Sequence, residues 1–127
     1  MEISSLPYTI KECGYYYVTD CLKGKRGKHG ITIATEVHDV TIDLCGYALM
    51  GVRGSLDGIH AEAVNKNVVV KNGTVRGWGG HGIDLEAAAY VGVFDIRAWE
   101  NGGIGIHTGD GGLIDRCHAI GNKKDGI

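Results

Sequence analysis

The sequence predicts an all-β chain folded as a short parallel β-helix, a solenoid of about four coils. Three observations predict it. The dipeptide Gly-Ile recurs at Gly30-Ile31, Gly58-Ile59, Gly82-Ile83, Gly105-Ile106 and Gly126-Ile127, at spacings of 28, 24, 23 and 21 residues. A period in the twenties marks a solenoid, in which each repeat is one coil stacked on the last. The segments Gly30 to Thr35, Val40 to Leu44 and Val68 to Val70 are short, rich in β-branched residues and bounded by Gly, Asn or Asp, as strands are. With 22 glycines, the chain has almost no segment suited to the helices of a helical solenoid, and it lacks the leucine-dense consensus of leucine-rich repeats.

In chain order, residues 1–29 are expected to form an N-terminal cap and a first partial coil. Residues 30–127 are expected to form the repeating coils, the whole being a single domain. Tyr15-Tyr16-Tyr17 is read as part of the cap, since an open solenoid end needs a cover. The basic, glycine-rich run Lys23 to Lys28 is read as a solvated loop. Aligning the coils on Gly-Ile gives two inward columns, Ile31/Ile59/Ile83/Ile106/Ile127 and Ile33/Ala61/Leu85/Thr108. A second strand row gives Val40/Val68/Val91 and Ile42/Val70/Val93/Ile114. Asn72 and Asp95 close that row and are expected to hydrogen-bond turn backbone.

Strand side chains alternate, so the positions between the inward columns face out. The outward columns read Thr32/His60/Asp84/His107 and Ala34/Glu62/Glu86/Gly109, with Asp57, His81 and Asp110 in adjoining turns. Neighbouring coils place His60 beside Asp84 and Asp84 beside His107, each about 4.8 Å apart at Cα. This face is the candidate site, with His60, Asp84 and His107 in the catalytic role and Glu62, Glu86, Asp57, His81 and Asp110 around them. Three readings stay open. A carboxylate beside an imidazole makes an acid/base pair, the cluster holds a divalent cation such as calcium, or outward strand positions are simply polar and pair opposite charges. Trp78 and Trp99 are read either as surfaces for sugar rings or as core and corner residues.

A net charge of −2 argues against nucleic acid as a partner, and no apolar run reaches the roughly 18 residues of a membrane span. The first ten residues lack the pattern of a secretory signal, so the chain is expected to be intracellular or to have had a signal removed. Of four cysteines none forms a CxxC pair. Cys45 and Cys117 are expected to be buried, and Cys13 and Cys21 are close enough in sequence to pair under oxidising conditions.

The segments SLPYTIKECGYYYVTDCL, GITIATEVHDVTIDLCGYALMGV and NKNVVVKNGTVRGWGGHGIDL together resemble the start of a right-handed parallel β-helix of the pectin-lyase-like superfamily. The resemblance covers nearly the whole chain and is specific for the fold rather than for one activity. It implies a polysaccharide or oligosaccharide partner, and as activities a lyase, epimerase or hydrolase. Gly80-His81-Gly82 matches one element of polygalacturonases, but their Asn-Thr-Asp, Asp-Asp and Arg-x-Lys elements are missing, so that chemistry is not carried over.

The function expected is therefore a small carbohydrate-associated binding or structural module, with a polysaccharide-processing enzyme as the alternative. Self-association is expected too. The sequence stops at Asp125-Gly126-Ile127 as a further coil would begin, which leaves either a longer β-helix or a homo-oligomer.

Overall fold

The computed structural model describes residues 1–127 and contains fourteen strands and no helix. The strands stack in three rows. The first holds Tyr8–Ile10 (β2), Ile31–Ile33 (β5), Ile59–Ala61 (β8), Ile83–Leu85 (β10) and Ile106–Thr108 (β12). The second holds Glu2–Ile3 (β1), Gly14–Val18 (β3), Val40–Asp43 (β6), the first halves of Asn65–Arg76 (β9) and Ala88–Trp99 (β11), and Leu113–Asp115 (β13). The third holds Leu22–Lys23 (β4), Ala48–Met50 (β7), the second halves of β9 and β11, and His118–Ile120 (β14). Every pairing is parallel, and strands pair only with the same row of the next coil. The fold is a parallel β-solenoid of about five coils.

The count differs from the expected four because the segment before Gly30 is itself a coil. β2 pairs with β5, β3 with β6 and β4 with β7. Tyr16 points inward and is buried, while Tyr15 and Tyr17 flank it on the outer side of the same strand, so the tyrosine run is a strand rather than a cover. Two cysteine expectations also change. Val40, Ile42 and Leu44 take the inward places, and Cys45 falls in the following turn with φ 51°, exposed; Cys117 is only partly buried. All four thiols are free.

The long strands β9 and β11 turn the corner between rows without breaking. At Asn67 and Tyr90, and again at Asn72 and Asp95, φ lies between 54° and 66° and the pairing skips one residue. Asn and Asp tolerate the left-handed region better than most residues, which is what Asn72 and Asp95 contribute here. Their side chains do not bond turn backbone. Asn72 donates to Asp43, at 3.5 Å, and Asp95 pairs with Arg116.

The Gly-Ile repeat has a steric origin. A Cβ on Gly30, Gly58, Gly82 or Gly105 would stand 2.5 or 2.6 Å from the carbonyl oxygen of the glycine one coil on. Coils reach ladder spacing at this corner only without a side chain, and Ile follows as the first inward residue. The isoleucine column is fully buried from Ile31 to Ile106 and belongs to a single core of 27 residues. Trp78 completes that core, with its Nε1–H donating to Leu49 O at 3.1 Å.

A buried amide closes the third row. Asn101 Oδ1 accepts from Trp78 N at 3.0 Å, and its Nδ2 donates to Val75 O and Asn122 Oδ1 at 3.2 and 2.9 Å. Replacing Asn101 with Ala orphans a buried N–H and a buried carbonyl, each costing about 1–3 kcal/mol. We expect Asn101→Ala to lose about 2–4 kcal/mol in urea unfolding and Asn122→Ala, one coil nearer the solvent, to lose less.

Candidate functional site

The outward face of the first row carries the predicted column in register. Thr32 pairs with His60, His60 with Asp84, and Asp84 with His107. The structure adds contacts from the turn before each strand. His60 Nδ1 donates to Asp57 Oδ2 at 2.9 Å and lies 3.6 Å from Asp84 Oδ2. His107 Nδ1 lies 3.4 Å from Asp84 Oδ1, and its Nε2 lies 3.6 Å from Glu86. The His107 Nδ1 atom is buried and makes no hydrogen bond. Glu62 is exposed and forms no ion pair, and Asp110 is exposed in the turn after β12. The patch is thus a core of Asp57, His60, Asp84 and His107 with Glu86 at its rim.

Just before each of the first three Gly-Ile pairs, a side chain of one coil accepts the backbone N–H of the equivalent residue one coil on. His29 Nδ1 accepts from Asp57 N at 3.0 Å, Asp57 Oδ1 from His81 N at 2.7 Å, and His81 Nδ1 from Ile104 N at 2.9 Å. These acceptors need room: a Cβ on Gly80 would overlap Asp57 Oδ1, and one on Gly103 would stand 2.6 Å from His81 Nδ1. His81, which the sequence placed in a turn beside the patch, therefore ties coils together. Asp57 does the same with one oxygen while holding His60 with the other.

His29 was not among the residues the sequence singled out. It stacks face to face on His60, ring centroids 4.0 Å apart and 4° from parallel. The signal was available, since His29, Asp57 and His81 all stand immediately before a Gly-Ile.

The charge states follow from the bonds. The hydrogen bond to Asp57 and then Asp84 push the His60 pKa up to about 9, against its partial burial, so its ring is cationic at neutral pH. Burial, and next the positive His60, push His29 down, so His29 is neutral. Its 3.7 Å approach to Asp57 is therefore not an ion pair. Burial works against the Asp84 carboxylate, but the His60 contact, the Glu86 N–H and the nearby His81 and His107 outweigh it and hold its pKa below the ordinary value.

Two clusters bring three ligand-type atoms within 4.8 Å of one another: His29, Asp57 and His60, and His81, Asp84 and His107. The donor set does not fit a cation. An imidazole whose Nδ1 accepts an N–H carries its proton on Nε2, so neither His29 nor His81 has a lone pair free without breaking a bond between coils. Calcium takes six to eight oxygens, and each cluster offers one carboxylate.

A groove of about 330 Å3 opens on the third row, between β11 and β14, lined by Arg97, Trp99, Glu100, His118, Ile120 and Gly121. Arg97 pairs in register with His118, and Trp99 with Ile120. The Arg76 guanidinium lies 5.1 Å from the Trp99 ring centroid. Arg97 and Glu100 share the groove without pairing, so both charges remain available. Trp78, the other tryptophan, is wholly in the core and presents no surface.

Fold and site together define a parallel β-solenoid with an outward His/Asp ladder and an aromatic groove on a separate row. Comparison with protein-family models, curated proteins and solved structures gave no match.

His60 should titrate by NMR with a midpoint near 9, and Asp57→Asn should bring that midpoint down. A histidine raised on folding supports the fold fully below its unfolded value of about 6.5 and loses that support as pH rises through about 9. Stability measured by denaturant should therefore fall between pH 7 and 9.5 in wild type and fall less in His60→Gln.

Proposed function

We propose that this chain is a small carbohydrate-associated binding module that also self-associates. The observation that carries the reading is the Trp99 groove. It sets an aromatic wall beside an unpaired arginine, an unpaired carboxylate and an imidazole, the mixture of apolar and hydrogen-bonding groups a sugar needs. The ladder supports it from a second row. His29, His60 and His81 make their hydrogen bonds through Nδ1, which leaves Nε2 without a protein partner, so N–H donors alternate with carboxylates that accept, which suits hydroxyl groups. Self-association is supported by the exposed apolar side chains Leu113 and Ile120.

The enzyme reading draws on one observation, the half-buried His60 between Asp57 and Asp84. With its pKa near 9, His60 keeps its proton at neutral pH and is poorly matched to proton transfer there. In an enzyme, His107 would be the acid or base, with Asp84 orienting it. No groove lies over this face to exclude water.

The test is a panel of neutral and acidic oligosaccharides against wild type, Trp99→Ala and His60→Ala/Asp84→Ala. Indole emission reports Trp99, because Trp78 is out of reach of a ligand. We expect saturable binding, weakened about threefold to tenfold in Trp99→Ala, and no new reducing ends or unsaturated products. Turnover lost in the double variant would establish the enzyme instead. No binding to any glycan would overturn the reading. Sedimentation of the 127-residue chain should show dimers or larger species at micromolar concentration, and a monomer throughout would remove the self-association.

A further inference from the structure

Three histidines in this chain perform the same structural task. His29 Nδ1 accepts from Asp57 N, 28 residues on, at 3.0 Å. His38 Nδ1 accepts from Lys66 N, also 28 residues on, at 3.1 Å. His81 Nδ1 accepts from Ile104 N, 23 residues on, at 2.9 Å. In each case a side chain in a turn closes a backbone N–H of the next coil, where no strand partner is available. Elsewhere an asparagine closes an N–H of the coil before it: Asn101 Oδ1 accepts from Trp78 N and Asn122 Oδ1 from Asn101 N. The two residue types differ in one respect. The asparagine oxygen accepts at every pH, whereas an imidazole nitrogen accepts only while unprotonated.

We propose that His29, His38 and His81 form an acid-sensitive set of clasps, and that protonation in mild acid opens the turns between coils, including those that border the ladder, while the three strand rows stay intact. On protonation Nδ1 changes from acceptor to donor. The N–H it held then faces another N–H, and the turn must part.

The surroundings set how each clasp responds. His29 faces the cationic His60 at 4.0 Å between rings, with Asp57 Oδ2 3.7 Å from its Nδ1; Lys28 adjoins it in sequence, and Glu62 and Asp84 act on it from farther off. A second positive charge on the stack is opposed by His60, while Asp57 stands ready to accept the new Nδ1–H, so the open form has its own partner. The residue level with His29 in the preceding coil is the apolar Leu6. His81 lies between Asp57, whose carboxylate takes its N–H, and His107, 5.0 Å away, with Asp84 acting on that pair. His38 is flanked by Asp39, whose carboxylate is taken by Asn67, by Lys66 on the next coil, and by Glu12 level with it on the preceding one.

The experiment follows amide exchange by NMR between pH 7.5 and 5, corrected for the intrinsic pH dependence of exchange. Protection at the Lys66 and Ile104 amides should fall about tenfold or more, and at the Asp57 amide by less, because burial and the positive His60 oppose a proton on His29. Protection at the Ile59 and Ile83 amides, which bond to Gly82 and Gly105 carbonyls, should change little. In His29→Asn/His38→Asn/His81→Asn the carboxamide oxygen replaces Nδ1, and the three amides should keep their protection at pH 5. Ring nitrogen shifts of wild type at pH 7.5 supply a check independent of that variant: all three rings should carry the proton on Nε2. A proton on Nδ1 at pH 7.5 would overturn the proposal. So would unchanged protection at pH 5, equal loss at the control amides, or equal loss in a folded asparagine variant.

Discussion

No coil of this chain can satisfy its own backbone. In a helix or a hairpin the partners of an N–H or a carbonyl lie a few residues away. Here the strand partners lie 15 to 28 residues away, one coil up or down. Everything else in the structure follows from keeping adjacent coils at ladder spacing around the whole circuit. Along strands the backbone does this alone. At the corners it needs left-handed residues, glycines that let carbonyls approach, and side chains that stand in for missing strand partners. His29, Asp57, His81, Asn101 and Asn122 are such stand-ins, and each is placed where a turn would otherwise leave a buried or partly buried N–H unpaired.

The same constraint builds the ladder. Because register is kept from coil to coil, any outward position becomes a row of side chains at close spacing, whatever their chemistry. His60 is drawn into a cationic state because Asp57, occupied as a coil tie, and Asp84, its strand neighbour, both reach its Nδ1. His29 stays neutral on the other face of the same ring. Two stacked imidazoles with opposite protonation result from one carboxylate, one backbone N–H and partial burial. Asp57 thus belongs both to the structural ties and to the candidate ligand face, and a substitution there would disturb both.

Much of this was legible from Gly-Ile alone. Once the repeats were aligned, the inward isoleucines, the valine row of the second sheet and the His60/Asp84/His107 register followed from the alternation of strand side chains, and the structure bears them out except at Ile127, which is exposed. The first coil was harder to see because Tyr8 stands where later coils have isoleucine and Pro7 where they have glycine; only the pairing of Tyr8 with Ile31 shows that it belongs. Cys45 was misplaced by one residue of strand length, since alternation says nothing about where a left-handed corner ends a strand. The turn contacts were illegible for a different reason. Alignment tells which residues are level, but whether His29 accepts an N–H, holds a proton or binds an ion depends on ring orientation.

The stacking direction also governs how the molecule would respond to force. The ladder hydrogen bonds between coils run along the solenoid axis, and one coil is joined to the next by those bonds, by the stacked apolar core and by a single chain crossing. Pulling the two ends apart along that axis loads one interface after another, like a stack of rings parting, rather than shearing many bonds together. Each coil released would free 21 to 28 residues of chain, about 70–100 Å of extended backbone. Such a solenoid gives way in discrete steps of one coil and is soft along its axis. A pull across the axis runs along the strands, loads many of these hydrogen bonds at once and is resisted more strongly.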